Sequence, residues 1–303
     1  MSYNQAKFFL AFFLFYYYNI CMRTLIVNKK NDGKKLDIIL LNNFNGLNIN
    51  TFFKALRKKD IKVNGKRVNS NIRVFYGDII DIFVSDNLLF KEINLDIIYE
   101  DNYILIVDKP IGIEVLGENS LISILKNKYN YIQPCHRLDR NTSGLVLFAK
   151  TLEALSIILD KFKNHEIEKH YIATVYGIPK DTEKTLTAYL FKDCKQSKVY
   201  ISDIFSKGYK KIVTSYKLIS KNIKNNTSVL DITLHTGRTH QIRAHLAHIG
   251  YPIIGDGKYG INSINKKFNK SYQMLESYLI KFSFTSDAGI LNYLNNKIIS
   301  KKV

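Results

Sequence analysis

The chain has 303 residues, with 45 Lys or Arg against 26 Asp or Glu, a formal net charge of +19 and a pI near 9.6. Such an excess is a statement about partners, and it leaves two natural ones, nucleic acid or an anionic membrane surface. Hydrophobic residues make up 46%, ample for a packed core, and the length fits one large domain plus a small one. Cys21, Cys135 and Cys194 form neither a CxxC pair nor an even set, so neither a disulfide framework nor a zinc site follows from them, and a reducing cytosol is the simplest compartment. The apolar and aromatic run at 8–18 stands behind Lys7. Its eleven residues fall short of the roughly 20 that span a bilayer, and no small-residue cleavage site follows it. Residues 1–22 are therefore read as an extension, with Met22 an alternative start and export not expected.

Residues 23–86 read as a separate small domain. Two short helices are expected at 36–41 and 49–57. The second carries Ile49, Phe52, Phe53 and Leu56 at helical spacing, with Asn50 or Thr51 available to cap it. Strands at 61–63 and 66–68 are joined by Asn64-Gly65, a strong hairpin signal, and a turn at Gly77-Asp78 leads into a strand at 79–84. The arrangement resembles an S4 module of the αL type, an RNA-binding unit. The segment holds thirteen Lys or Arg against six Asp, and Arg57, Lys58, Lys59, Lys62, Lys66 and Arg67 cluster where helix meets hairpin. Such cations contact phosphates and give salt-sensitive affinity without reading bases, although a basic run is also often a solvated helix end. Residues 87–93 are read as the linker, and 94–303 as the catalytic part.

Beyond the linker, strand and helix patterns alternate without regular βαβ spacing, which predicts an α+β fold with a mainly antiparallel sheet. A hairpin is expected about Asp101-Asn102, between strands at 97–99 and 103–107. Residues 136–144 read His-Arg-Leu-Asp-Arg-Asn-Thr-Ser-Gly, and the apolar run 145–149 resumes a strand. Asp139 thus sits on a loop held between two strands, flanked by two arginines, where a rigid scaffold could position it for chemistry. Taken alone, an Asp in such a turn is more often a turn cap or a surface ion pair. A helix follows at 151–162 with Leu152, Leu155, Ile158 and Leu159 on one side, then a strand at 229–234. Ile242, Leu246 and Ile249 mark another helix that Gly250 ends. Arg243 lies at its start, where a cation could point into a cleft. Residues 262–270 read as an exposed basic loop, and 295–303 carry no clear signal.

Four ordered blocks carry a more specific message. They are Asp108-Lys109-Pro110-Ile111-Gly112, His136-Arg137-Leu138-Asp139-Arg140-Asn141-Thr142-Ser143-Gly144-Leu145, Lys169-His170-Tyr171-Ile172-Ala173-Thr174-Val175-Tyr176-Gly177, and Thr236-Gly237-Arg238-Thr239-His240-Gln241-Ile242-Arg243-Ala244-His245-Leu246 with Gly250-Tyr251-Pro252-Ile253 and Gly255-Asp256. Over 94–285 the chain resembles the RluA family of RNA pseudouridine synthases. The resemblance implies a pseudouridine synthase fold with a central cleft, and isomerisation of uridine within RNA without cofactor or metal. It further implies Asp139 as nucleophile, Arg243 as its cationic partner and Tyr171 as a base-stacking group that could take the C5 proton. Arg137 would fill the space the flipped base leaves, with Arg140, Thr142, Arg238 and His240 binding substrate. An arginine within about 4–6 Å favours a carboxylate anion by roughly one to three pKa units. Two segments depart from the family pattern, Glu114-Val115-Leu116-Gly117 and Leu275-Glu276-Ser277-Tyr278.

Two other readings compete. A zinc site built from His240, His245, His248, His136 and Asp139 fits poorly, because His240 and His245 are five apart and no cysteine joins them. A ribosome-associated binding factor with an inactive enzyme-like domain would be expected to lack at least one of Asp139, Tyr171 and Arg243, and all three are present. The expectation is therefore a monomeric cytoplasmic enzyme with RNA as partner and no membrane. Large-subunit ribosomal RNA is the leading substrate and transfer RNA the second.

Overall fold

The computed structural model describes residues 22–90, 93–117 and 119–302. The apolar run at 8–18 lies outside the described residues. The chain divides into two compact units between Asn94 and Leu95. Among the described residues no helix is long and apolar enough to cross a membrane.

The first unit contains β1 (Met22–Ile26), α1 (Leu36–Asn43), α2 (Ile49–Lys58), β2 (Ile61–Val63), β3 (Lys66–Arg67), β4 (Ile79–Phe83) and α3 (Asp86–Leu89). Its four strands pair in the order β1-β4-β2-β3, all antiparallel. The β2–β3 turn uses Asn64 at φ 50° and Gly65 at φ 75°, the two left-handed positions that a two-residue hairpin requires. Asn64 also bonds to the Gly77-Asp78 turn, donating to Asp78 Oδ1 and accepting from the Ile79 amide, each at 2.9 Å. Two sequence expectations are corrected. The cap of α2 is Asn48, which accepts from the Thr51 amide at 2.9 Å, rather than Asn50 or Thr51. The segment read as linker begins inside this unit, since Leu89 on α3 is fully buried in its core.

The second unit is built on an eleven-stranded sheet. Its first half contains β5 (Asp96–Glu100), β6 (Ile104–Lys109), α4 (Leu121–Lys126), β7 (Gln133–Pro134), β8 (Ser143–Ala149), α5 (Leu152–Lys163) and β9 (Ile167–Tyr176). Its second half contains β10 (Glu183–Asp193), β11 (Lys198–Ser202), β12 (Lys210–Asn222), β13 (Thr227–Leu234), α6 (Gln241–His248), α7 (Asn262–Lys267), β14 (Leu275–Phe282) and β15 (Ile298–Ser300). The sheet runs β11-β10-β12-β13-β9-β14-β8-β6-β5, with β7 beside β8 and β15 beside β14. Every pairing is antiparallel except β8 with β14. The fold class is therefore α+β with a mixed, mainly antiparallel sheet, as the sequence implied.

Strands β6 and β8 read as unbroken apolar runs because both of their faces are covered. Leu105, Val107, Val146 and Phe148 join the core beneath α4 and α6, while Ile104, Ile106, Leu145 and Leu147 join the one beneath α5. Gly144, the second residue of β8, has φ +110°, and a Cβ there would lie 2.0 Å from the Ser277 carbonyl oxygen on β14. Only glycine permits that approach.

Three further expectations are corrected in this unit. Leu152 and Leu159 of α5 are 71% and 48% exposed, and the buried stripe is Ala154, Ile158 and Lys161. Pairing of the Lys161 amine with Glu166 at 2.7 Å allows a charged residue into that stripe, which an apolar-spacing argument cannot foresee. Residues 262–270 are not a loop throughout, because 262–267 form α7. There the buried Asn265 accepts from the Gly255 amide at 2.7 Å and donates to the Asp256 carbonyl at 3.0 Å. Within the tail, β15 pairs with β14, and Lys301 bridges Asp108 and Glu276.

Candidate active site

The 135–142 loop feeds β8, Tyr171 projects from β9, and the 235–240 loop leads into α6. Together they line a cavity of about 260 Å³ that includes Arg137, Asp139, Thr142, Lys169, Tyr171, Arg238, His240 and Arg243. Seven of the eight residues singled out from the sequence for catalysis or substrate binding therefore come together. Arg140 does not line the cavity; its Nε donates to the Gly112 carbonyl at 2.9 Å, bracing the loop instead.

Backbone and side-chain contacts fix that loop. The Gly112 amide donates to the Arg140 carbonyl at 2.9 Å, and the Thr142 amide donates to the Asp139 carbonyl at 3.0 Å. Fully buried Lys109 donates to the carbonyls of Pro110 and Ile113 at 2.9 Å and of Arg140 at 3.2 Å. Burial pushes the Lys109 amine down to about 8, against the opposing pull of Asp139, Asp108 and Glu114. Thr142 is buried, and its hydroxyl accepts from Gln273 Nε2 at 3.0 Å.

On the other wall, buried Gln241 holds the entry to α6. It accepts from Thr236 Oγ1 at 2.9 Å and the Arg238 amide at 3.1 Å, and donates to the Val213 carbonyl and Thr214 Oγ1 on β12. Arg243 is 8% exposed and spans two carboxylates. Its Nε and one terminal nitrogen grip Asp256 at 2.7 and 2.9 Å, and its other terminal nitrogen donates to Asp139 Oδ2 at 2.9 Å. Burial opposes the guanidinium's charge, but the two carboxylates outweigh it and raise its pKa. Asp256 is 0% exposed; burial alone would raise its pKa, but Arg243 and the amides of Lys258 and Tyr259 hold it below the usual range. The fork suits this task because its planar donors can serve two acids at once.

Tyr171 is 4% exposed. Burial, and then the charge of Asp139, raise its phenol well above the ordinary value, so the phenolate is disfavoured. His240 Nε2 lies 3.9 Å from Asp139 Oδ2. Burial pushes that ring down to about 4, with Arg243 and Lys258 adding to the shift and Asp139 opposing it. Arg137 and Arg238 are exposed at the cavity. Among the described residues no three His, Cys, Asp or Glu side chains gather as metal ligands.

Sequence reasoning missed Lys109, Asp256, Gln241, Tyr259 and Lys169. A signal existed for Asp256, since a buried guanidinium demands a buried acid and Gly255-Asp256 stood in the motif. For Lys169 the signal was its place two residues before Tyr171, on the same face of the strand.

Residues 103–248 match the sequence profile of the family described as RNA pseudouridylate synthase. A protein of Buchnera aphidicola named ribosomal large subunit pseudouridine synthase C is 34% identical over 283 residues, covering 85% of this chain and 88% of that protein. The chain belongs to the RNA pseudouridylate synthase family. A protein of Mycoplasma capricolum named uncharacterized RNA pseudouridine synthase is 32% identical over 305 residues, covering 92% of this chain and 97% of that protein. The solved human RNA pseudouridylate synthase domain containing 1 superposes with a TM-score of 0.55 at 24% identity, covering 64% of this chain and 80% of that one, and bears on the fold alone. Membership makes the chain an RNA isomerase of the RluA type.

Proposed function

We propose that the enzyme isomerises uridine to pseudouridine in large-subunit ribosomal RNA, with Asp139 as nucleophile. The observation that carries this is the accessible Asp139 carboxylate, held at 2.9 Å by an Arg243 that is itself anchored to a fully buried second acid. The name of the Buchnera relative supports the substrate class.

The target base leaves its stack at a cost of a few kcal/mol and enters beside Tyr171. Stacking on the phenol returns about 1 to 3 kcal/mol. Arg137, exposed at the cavity, fills the space the base leaves, and Arg238 with His240 contacts the nucleotide. Asp139 then bonds to C6 of the ring or to C1′. The N1–C1′ bond breaks, the base rotates, and C5 bonds to C1′. The C5 proton passes to water, directly or by way of Tyr171, N1 gains a proton from water and Asp139 is released as a carboxylate, so atoms balance on either route. Tyr171 stacks on the base and, with its phenolate disfavoured at rest, would take the C5 proton only as the phenol passes its own hydrogen on.

The first unit, read as an S4 module, adds phosphate contacts through Arg57, Lys58, Lys59, Lys62, Lys66 and Arg67. All are exposed except Lys62, half-buried with its amine 5.0 Å from the Phe83 ring centroid. The test is incubation of the purified enzyme with separate large-subunit ribosomal and transfer RNA transcripts, followed by nucleoside analysis. Pseudouridine in the ribosomal transcript is expected. Formation in transfer RNA alone would overturn the substrate assignment.

A further inference from the structure

Tyr259 stands outside every residue the sequence singled out, yet four contacts fix it beside the site. Its amide donates to Asp256 Oδ1 at 3.0 Å, on the same carboxylate that grips Arg243. Its ring centroid lies 5.3 Å from the Arg243 guanidinium carbon. Its hydroxyl oxygen accepts from the Val199 amide on β11 at 2.9 Å, and that oxygen lies 2.9 Å from His240 Nδ1.

These contacts determine where protons go. A phenol carries one hydrogen, and the Val199 amide already donates to its oxygen. Were His240 Nδ1 protonated as well, two donors would fill both lone pairs of that oxygen and the phenol hydrogen would have to turn away from the ring toward solvent; with Nδ1 unprotonated, the phenol hydrogen has an acceptor at 2.9 Å. Burial keeps the ring neutral with a single proton, and if Tyr259 donates to Nδ1 that proton sits on Nε2, the nitrogen facing Asp139. At 3.9 Å from the carboxylate, that N–H is too far away for a direct hydrogen bond to Asp139. It remains available to a ligand.

We propose that Tyr259 is a positioning residue that locks His240 in the Nε2–H tautomer, so that a neutral N–H donor beside Asp139 meets an oxygen of the bound nucleotide. The acceptor is a carbonyl of the base or an oxygen of the ribose, since a neutral donor suits neutral oxygens, while the exposed arginines suit phosphates. The second half of this proposal rests on the uridine-site reading above; the tautomer lock does not.

The decisive experiment is nitrogen-15 NMR of the histidine rings in the full chain without RNA, for wild type and Tyr259→Phe. In wild type, His240 should show a protonated Nε2 and an unprotonated Nδ1. In Tyr259→Phe that preference should relax toward a mixture of tautomers. A proton on Nδ1 in wild type, or an unchanged tautomer in Tyr259→Phe, overturns the lock. Turnover supplies the second arm. His240→Gln, which can place an N–H near the Nε2 position, should keep at least about a tenth of wild-type kcat, while the shorter His240→Asn should lose about 100-fold, the scale for one missing donor to reacting groups. Equal losses overturn the donor role. A wild type that shows the lock but isomerises no uridine overturns the functional reading and leaves the lock standing.

Discussion

The two units treat charge in opposite ways. Among the described residues the first unit buries no polar or charged side chain, and its core is wholly apolar. The second buries Lys109, Lys161, Glu166, Gln241, Arg243, His245 and Asp256. Burying such groups costs several kcal/mol each unless they are paired, so their presence marks where the fold gives up stability for geometry. On the RNA-binding reading proposed for it, the first unit would need only exposed cations to meet phosphates. A site that must hold one carboxylate for chemistry needs a supported guanidinium, and the support has to be buried.

That contrast can be broken, most severely at Asp139. Asp139→Asn should lower turnover by on the order of 10⁴-fold or more, the scale for a lost nucleophile, while RNA affinity stays within about threefold. Kinetics and filter binding on the same preparation check both halves. Next in size, Gly144→Ala should destabilise the second unit by about 4 kcal/mol or more, because its Cβ meets Ser277 backbone rather than a side chain that could move. Denaturant melts measure this.

Arg243→Met should cost about 3 to 5 kcal/mol by leaving Asp256 buried without its cation. The exposed Arg57→Gln should stay within about 0.5 kcal/mol. Comparable losses in the two variants would erase the distinction between the units.

Acid should act on the second unit through its histidines. Burial lowers His240 and His245 from the ordinary 6.5 to about 4. Between those values the unfolded chain binds protons that the native state refuses, so stability rises with pH through that window and is lost as pH falls from about 6.5 to about 4. Melting temperatures across that range check the slope, and His245→Asn should flatten it.

The smallest effect belongs to the first unit. Replacing Lys58, Lys59 and Lys66 by Gln should weaken RNA binding evenly across sequences and reduce its salt slope by about one for each phosphate no longer neutralised. An unchanged slope would remove this unit from the RNA interface.

Much of this was legible in the chain, for identifiable reasons. Asn64-Gly65 announced its hairpin because few residues adopt two consecutive left-handed conformations. Apolar runs at 104–107 and 145–149 announced strands, and the loop between two strands placed Asp139 correctly. The illegible parts depend on long-range partners. Lys161 lies in a buried stripe because Glu166 meets it, and Asn265 leaves the surface because its amide bridges Gly255 and Asp256. Tyr259 gains its place from Val199, sixty residues earlier, a relation no local pattern encodes.

Carbodiimide-dependent reverse-transcription mapping of pseudouridine on large-subunit ribosomal RNA, from cells lacking this gene and complemented with either wild type or Asp139→Asn, tests the central claim most directly. Discrete stops restored by wild type and absent with Asp139→Asn are the expected result. Stops restored equally by both would contradict it.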